Sequence, residues 1–181
     1  MRYAETVILK DGAELLVRNA VASDARALRD IMQRTHAETD YLLSYPDEQG
    51  TDVEREARSL AEMERSDNEV ELVAVLDGRI VGSAGVTAVG GRRKVAHRAR
   101  FGISVLQEYW GLGIGRVLMG SCIDCARRAG YTQLELEVVA DNERALSLYR
   151  RAGFEEYGRN PRGYRSTAVG YQELVHMRLE L

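Results

Sequence analysis

Apolar side chains recur at changing intervals along the chain, and these changes predict a series of strands and helices. Alternating or continuous apolar runs predict strands over residues 5–20 (as a pair), 70–76, 79–89, 95–105, 133–139, 154–158 and 171–181. Helical spacing predicts helices over residues 23–38, 51–65, 116–129 and 141–153. The order of elements is therefore that of a mixed α/β (α+β) protein.

Cap and loop residues mark the ends of these elements. Ser23 is a candidate cap for the first helix, and Thr51 with Glu54 forms a capping box for the second. Pro161, like the other proline, falls in a predicted loop, and no proline-rich or low-complexity linker divides the chain. We therefore expect a single domain over residues 1–181.

The stretch EYWGLGIGRVLM, residues 108–119, places three glycines directly before a helix-prone apolar run. Each glycine costs roughly 0.5–1 kcal/mol inside an element, so this density indicates unusual backbone angles or a close approach to something else. The first N–H groups of a helix lack intrahelical partners, and the peptide dipoles place partial positive charge there. The stretch therefore predicts an anion-binding loop, for example for phosphate, with a plain strand-to-helix turn as the alternative.

Two common nucleotide-binding motifs are incomplete in this stretch. A G-x-G-x-x-G fingerprint fails because Arg116 or Leu118, depending on the register, stands where the third glycine belongs. A P-loop fails because GRVLMGSC supplies Gly115, Gly120 and Ser121 but no lysine. A nucleotide-phosphate enzyme is accordingly disfavoured.

Composition narrows the functional classes further. The 181 residues are 45% hydrophobic and 29% charged, with a formal net charge of −3, which is ordinary for a globular protein and gives no reason to expect a nucleic-acid partner. The basic cluster GRRKVAHRAR is either a solvated hairpin or a site for an anionic ligand. No apolar run is long enough for a membrane span or a signal peptide, so we expect a cytoplasmic protein without a membrane partner.

The two cysteines and three histidines give no metal signature. Cys122 and Cys125 form a C-x-x-C inside the predicted third helix, and no second pair completes a zinc site. The histidines are scattered, at positions 36, 97 and 176. We expect no metal, and we interpret the cysteines as small helix-packing residues, with redox chemistry as the alternative.

Three stretches, FGISVLQEYWGLGIGRVLM, LELEVVADNERALSLYRRAGF and YQELVHMRL, occur in this order and resemble the GNAT superfamily of acetyl-CoA-dependent N-acetyltransferases. The resemblance extends over nearly the whole chain, including the VAVLDGRIVGSAGV hairpin. It implies a GNAT fold, a twisted, mixed, mostly antiparallel sheet flanked by helices on both faces. It also implies that the glycine loop binds the pyrophosphate of acetyl-CoA through main-chain N–H groups.

The resemblance assigns coenzyme-binding residues to particular positions. They are Ile103, Ser104, Val105, Trp110, Gly111, Leu112, Gly113, Ile114, Gly115, Arg116, Asn142 and Tyr149. The family signature R/Q-x-x-G-x-G/A falls on residues 110–115, but its first position is Trp110 rather than Arg or Gln. The strand ending at Val105 is similar to the strand that pairs with the pantetheine arm. Asn142 matches a coenzyme contact, with a plain helix cap as the alternative.

Tyr149 matches the general acid of the family. A tyrosine with an ordinary pKa near 10 stays protonated at neutral pH, and it can protonate a departing thiolate, whose thiol has a pKa near 8.5. The alternative is an amphipathic tyrosine that only packs the last helix. This residue is therefore the candidate catalytic group.

The general base is not assigned by the resemblance. Well-known members carry a Glu on the strand before the glycine loop, and Ala99 stands at that position. An alkylamine must lose a proton before attack, so a base elsewhere is implied; Glu71, Glu38 and backbone carbonyls are candidates.

The implied reaction moves acetyl from acetyl-CoA to a primary amine, by direct attack in a ternary complex. The acceptor, a small amine, an amino acid or a protein N-terminus, would bind near residues 36–45, Arg98, Arg100 and residues 159–171. A non-catalytic acetyl-CoA sensor is the alternative. We also expect a homodimer, by family habit and because Leu174, Met177, Leu179 and Leu181 form an apolar face.

Overall fold

The computed structural model describes residues 1–50 and 52–181. Its strands are β1 (Ala4–Ile8), β2 (Glu14–Asn19), β3 (Val70–Leu76), β4 (Arg79–Ala88), β5 (Arg98–Val105), β6 (Gln133–Val139), β7 (Glu155–Ser166) and β8 (Gly170–Glu180). Its helices are α1 (Ala25–Glu38), α2 (Val53–Arg65), α3 (Ile114–Arg128) and α4 (Glu143–Arg151). Within the described residues, none of the helices combines the length and hydropathy that a bilayer span requires.

All eight strands join one sheet in the order β1-β2-β3-β4-β5-β6-β8-β7. Neighbouring strands are antiparallel, except that β5 and β6 are parallel. β8 therefore lies inside the sheet, between β6 and β7, and β7 forms one edge. The predicted mixed, mostly antiparallel sheet is confirmed.

Helices cover both faces of this sheet, as predicted. Leu118 of α3 and Leu146 of α4 belong to the main apolar core on one face, which we call the α3/α4 face. Leu28 of α1 and Leu60 of α2 pack with Val73 of β3 on the other, the α1/α2 face. Burial of these apolar stripes is the main stabilising contribution to the layered arrangement.

The two parallel strands separate partway along their length. The ladder between β5 and β6 covers only Arg98–Arg100 and Gln133–Glu135, although both strands continue further. Because a ladder uses the N–H and C=O groups of both strands, the inner edges beyond it retain main-chain groups that can bind another extended molecule. The sheet thus has a gap between residues 101–105 and 136–139, which we call the strand opening.

One predicted helix cap is wrong, and another lies outside the described residues. Ser23 lies in a short 3₁₀ turn before α1 and does not cap that helix. The capping box predicted for α2 involves Thr51, which lies outside the described residues. Among the described residues, Asp52 is the N-cap of α2, because its carboxylate accepts a hydrogen bond from the Arg55 N–H at 2.9 Å.

β7 is longer than predicted, and the predicted loop around its proline is wrong. The strand continues past Gly158 to Ser166, with Pro161 inside it. Its pairing with β8 shifts between Asn160 and Tyr164. A proline is tolerated here because β7 is an edge strand and needs no donor on its outer side.

Three of the four side chains expected to contact a partner subunit are used in the chain's own core. Leu174, Met177 and Leu179 are 3%, 0% and 9% exposed, because β8 lies inside the sheet. Apolar surface that is already buried cannot stabilise a second contact. The homodimer stays a prediction, without the support that these residues were expected to give.

Both cysteines lie in the core rather than at a site. Cys122 and Cys125 are free, buried thiols of α3 that pack against the sheet. Burial raises the pKa of Cys125 to about 11 and raises that of Cys122 well above its ordinary value. Because the thiolate is the reactive form, this environment favours the packing interpretation over redox chemistry.

Candidate active site

The strand opening is part of a cleft with a volume of about 1910 Å³, which we call the main cleft. Its walls come from β5, β6, α3, α4 and the glycine-rich segment before α3, together with residues 41–43 after α1. Every residue that the sequence assigned to coenzyme binding lines this cleft except Leu112. Leu112 packs against the main apolar core instead.

The glycines before α3 differ in what they contribute. Gly111 and Gly113 have φ angles of +87° and +94°, in the left-handed region that favours glycine. A Cβ at Gly115 would make only ordinary contacts, 3.6 Å from Leu148 and 3.8 Å from Ile103. The backbone conformation therefore favours glycine at positions 111 and 113. At position 115 the absence of a side chain leaves the main chain of the cleft wall uncovered.

The first turn of α3 presents main-chain donors to the main cleft. The first helical hydrogen bonds run from the N–H groups of Arg116 and Val117 to the Gly113 carbonyl, at 3.0 and 3.1 Å. The N–H groups of Ile114 and Gly115 precede these bonds, lie at the positive end of the helix dipole and belong to cleft-lining residues. Such a helix start suits a phosphate group, and Arg116 adds a positive charge to the same wall.

Trp110 joins the glycine-rich segment to the end of β5. Its indole N–H donates to the Val105 carbonyl at 2.7 Å. The guanidinium of Arg144, from α4, lies over the indole ring, 5.0 Å from its centroid. Both side chains line the main cleft. In place of the Arg or Gln of the family signature, this chain thus brings a positive charge from α4 to the same part of the cleft.

Asn142 begins α4 and lines the main cleft at the same time. Its Oδ1 accepts a hydrogen bond from the Ala145 N–H at 3.1 Å, which is an N-cap. Since the cap uses only the amide oxygen, the Nδ2 group is left as a donor for a ligand. The two interpretations of Asn142 are therefore compatible.

Tyr149 is buried, with 7% exposure, and lines the main cleft from α4. Its ring meets Phe101 edge-on, with 6.2 Å between centroids and an interplanar angle of 88°. Burial raises the pKa of Tyr149 well above its ordinary value of 10.0, so the hydroxyl carries its proton at neutral pH. This residue combines a packed ring with a proton donor at the cleft.

Neither of the two carboxylates considered for the general base, Glu71 and Glu38, lines the main cleft, and neither does Ala99 at the family's base position. Ala99 is 0% exposed and belongs to the main core. Glu38 accepts a hydrogen bond from the Gln107 N–H at 2.8 Å, which ties α1 to the segment before the glycines. The Glu71 carboxylate lies over Gly85, where an added Cβ would overlap it. A base within the cleft would therefore come from other lining residues or from backbone carbonyls.

Glu71 carries a prediction about stability. Burial, opposed by a hydrogen bond with Ser83, raises the pKa of Glu71 from 4.5 to about 7. The folded chain then holds this proton more tightly than the unfolded chain, so the contribution of Glu71 to the free energy of unfolding falls as pH rises from about 4.5 to about 7. The uncharged Glu71→Gln variant should gain stability relative to wild type, by about 2 kcal/mol between about pH 5 and about pH 8. Melting curves of both proteins across this range test this; a difference that does not change with pH would contradict it.

The α1/α2 face of the strand opening carries titratable side chains. Glu137 alternates with apolar residues of β6 that face the main core, so it points to the opposite face. It is the cross-strand partner of His176 on β8, whose Nδ1 is 3.4 Å from Glu137 Oε1. The Tyr157 ring lies against His176, with 5.9 Å between centroids. All three residues line the main cleft, which thus has a carboxylate and an imidazole on the face opposite α4.

Two arginines of β5 also line the main cleft on this face. Arg98 forms an ion pair with Glu135, with its Nη2 2.8 Å from Oε2, and this contact lowers the pKa of Glu135. Arg100 is exposed, and among the described residues it has no carboxylate within ion-pair distance. The basic cluster of the sequence is therefore divided, because residues 92–94 are exposed in a turn and two later arginines line the cleft.

Sequence reasoning missed Glu137, His176 and Tyr157. The alternation in QLELEVV was a usable signal for Glu137, because it predicts two carboxylates on the strand face opposite the leucines. The pairing with His176 depends on β8 lying beside β6, and no local pattern predicts that neighbour.

A helix start that suits a phosphate group and several titratable side chains lie in one cleft, an arrangement typical of enzymes that transfer a group from a phosphate-bearing donor. Residues 27–154 match the acetyltransferase (GNAT) family. The chain therefore belongs to the GNAT family, a class of acetyl-CoA-dependent acyltransferases.

Individual relatives and a solved structure support this family assignment. A streptothricin acetyltransferase from Streptomyces lavendulae is 32% identical over 157 residues, which are 87% of this chain and 77% of the relative. An L-amino acid N-acetyltransferase from Escherichia coli K12 is 35% identical over 89 residues, which are 49% of this chain and 54% of the relative. The solved structure of a GNAT-family acetyltransferase from Streptococcus pneumoniae has a TM-score of 0.88 at 30% identity, covering 92% of this chain and 99% of that chain. This chain spans only 23% to 54% of the length of several other curated relatives that it matches.

Proposed function

We propose that the protein transfers the acetyl group of acetyl-CoA to a primary amine by direct attack in a ternary complex. The observation that carries this proposal is the strand opening, which has Tyr149 on its α3/α4 side and Glu137 on its α1/α2 side. A donor and an acceptor that enter from opposite faces of the sheet meet only at this opening. Family relatives named for streptothricin and for L-amino acids support an amine acceptor.

The coenzyme is held mainly by main-chain groups. Its pyrophosphate accepts hydrogen bonds from the N–H groups at the start of α3, with Arg116 and Arg144 as additional positive charges. Its pantetheine arm pairs with the free edge of residues 103–105, much as a neighbouring strand would. Asn142 donates to the same arm through Nδ2.

Two side chains move protons during the transfer. Glu137 accepts a proton from the acceptor ammonium, directly or through one water, and His176 beside it holds the carboxylate in place. The neutral nitrogen then forms a bond to the thioester carbonyl carbon, the carbon–sulfur bond breaks, and its electron pair leaves on sulfur. Tyr149 donates a proton to that sulfur. The nitrogen of the new amide still carries one extra proton, which returns through water to the Tyr149 phenolate, and Glu137 releases its proton to solvent. In total the ammonium loses two protons, one replacing the proton that Tyr149 gave to the thiol and one passing to solvent by way of Glu137, so atoms and charge balance.

An acetyl-CoA sensor without turnover is the second candidate, and one observation favours it. Ala99 stands where well-known family members carry their base, and it is buried in the core. Incubation with acetyl-CoA and a panel of amines separates the two functions. An enzyme releases free thiol in proportion to acetylated amine, whereas a sensor binds acetyl-CoA and releases none.

Coenzyme A should stabilise the fold, and ATP and NAD should not. Free ligand at 100 times its Kd adds about 2.7 kcal/mol to the free energy of unfolding, which a melting curve detects easily. Gly113→Val should abolish this shift, because Gly113 has a φ of +94° and a β-branched side chain resists that conformation and crowds the phosphates. No shift with millimolar coenzyme A for the wild type would reject the coenzyme assignment.

Gly78→Val is the matched control. Gly78 also has a positive φ, +74°, but it lies in the turn between β3 and β4, outside the main cleft. The Gly78→Val variant should lose a comparable free energy of unfolding through backbone strain and keep its affinity for coenzyme A. Gly113→Ala, a smaller change, replaces Gly113→Val if the latter does not fold. Normal coenzyme affinity in a folded Gly113 variant would mean that the loop is only a turn.

A further inference from the structure

Two opposite charges line the acceptor side of the main cleft. Arg100 has no carboxylate within ion-pair distance among the described residues, and Glu137 has His176 beside it, with Nδ1 3.4 Å from Oε1. Arg100 of β5 is paired with Glu135 of β6 in the last row of the ladder. Glu137 lies two residues further along β6 and therefore on the same face of the sheet. The long side chains of Arg100 and Glu137 can therefore reach a small molecule bound at the strand opening.

The other charged groups on this wall are already compensated. Arg98 donates two hydrogen bonds to the Glu135 carboxylate, within the paired part of β5 and β6 just before the strand opening. Arg100 is next to Glu135 in the register and lowers its pKa further, yet the shorter contacts of Glu135 go to Arg98 and Gln133. What remains available to a ligand is the Arg100 guanidinium and the Glu137 carboxylate beside His176.

We propose that the acceptor is an amine that carries an anionic group on the neighbouring carbon, such as a free α-amino acid. Arg100 binds the carboxylate of this acceptor, and Glu137 receives its ammonium group. The inference rests on the proposed acetyl transfer and narrows its acceptor. A guanidinium binds a carboxylate by two parallel hydrogen bonds, which fixes the amine beside Glu137 as well as adding affinity.

The same charges disfavour the other acceptor classes. A protein N-terminus or an amino-acid amide has no carboxylate beside its amine, so its binding would leave Arg100 desolvated without a partner. A polycationic acceptor would meet the like charge of Arg100 near the opening. The remaining wall, formed by Tyr157, Tyr164 and Leu42, offers aromatic and apolar surface to the acceptor's own side chain.

The test compares amino acids with their carboxamides as acceptors, by kcat/KM at saturating acetyl-CoA. The wild type should prefer the acid by about 10- to 100-fold, the scale of one charge-assisted contact. Arg100→Gln should remove this preference by raising KM for the acid, with little change for the amide. Arg79→Gln, an exposed arginine at the start of β4 and outside the main cleft, should leave the preference intact. Equal use of acid and amide by the wild type, or an equal loss for both in Arg100→Gln, would overturn the proposal.

A binding measurement separates failure of this inference from failure of acetyl transfer. Calorimetry on the coenzyme A complex, with each amino acid and its amide as titrants, needs no turnover. If no amine is acetylated but the acid binds and Arg100→Gln loses that binding, the acetyl transfer is rejected and the carboxylate site stands. If amines are acetylated and neither binding nor rate depends on the carboxylate, the carboxylate site is rejected and acetyl transfer stands.

Discussion

Tyr149→Phe should lower kcat by roughly 10²-fold or more at saturating acetyl-CoA while changing the Kd for coenzyme A only slightly. The substitution removes one hydroxyl and keeps the ring that packs on Phe101, so the melting temperature should fall little. In the proposed mechanism the hydroxyl protonates the departing sulfur, so the loss should appear in the chemical step. The measurements are a rate under conditions where chemistry limits turnover, a Kd and a melting curve.

Other roles for the hydroxyl give different results. If it anchors the coenzyme, the Kd rises and saturating acetyl-CoA restores the rate. If it is only a packing residue, kcat stays unchanged, and Tyr149 is not catalytic. Tyr131→Phe is the control, because Tyr131 is also buried but lies outside the main cleft. Its hydroxyl accepts a hydrogen bond from Asn68 Nδ2 at 3.0 Å. The control variant should lose stability and keep kcat.

Glu137→Gln should lower kcat by about 10²- to 10⁴-fold, the range expected when a positioned base is removed. The amide keeps the shape of the side chain and loses its ability to take a proton from the acceptor. The loss should shrink for acceptors whose amine has a low pKa, since much of such an amine is already neutral at pH 7. A series of acceptors with graded amine pKa values, assayed with both proteins, gives this readout.

A merely structural role for Glu137 would give the same loss for every acceptor. Glu62→Gln is the matched control, because Glu62 is exposed on α2 and does not line the main cleft. It should behave as wild type throughout the series. A wild-type rate in Glu137→Gln would require a different base, and Glu71, with its pKa raised to about 7, would then be the next carboxylate to test.

Local patterns were sufficient for most of the fold. The hairpin turns, the glycine-rich helix start and the Asn142 cap are features in which a few neighbouring residues determine the backbone, and all of them occur in the structure. The errors arose where distant residues decide. The extent of β7 depends on pairing with β8, which holds Pro161 in the strand although a proline alone predicts a loop.

The same distinction between neighbouring and distant residues applies to the candidate site. The cleft wall proposed for the coenzyme comes from consecutive stretches, so motifs could predict residues 103–105 and, apart from Leu112, residues 110–116. The acceptor side is assembled from single residues of β5, β6, β7 and β8, which meet only through the strand order. Arg100 and Glu137 are 37 positions apart in the chain, and their proximity depends on β5 and β6 being parallel neighbours. The sequence therefore predicted Arg100 on the acceptor side, but no motif on one strand could identify Glu137 as its neighbour.

Free thiol and acetylated amine measured in the same reaction test the central claim most directly. The protein is incubated with acetyl-CoA and a panel of amines that includes amino acids, their amides and polyamines. We expect equal amounts of the two products, formed only when an amine is present and lost together in Tyr149→Phe and Glu137→Gln. Tight binding of acetyl-CoA without either product for any amine would contradict acetyl transfer through the strand opening.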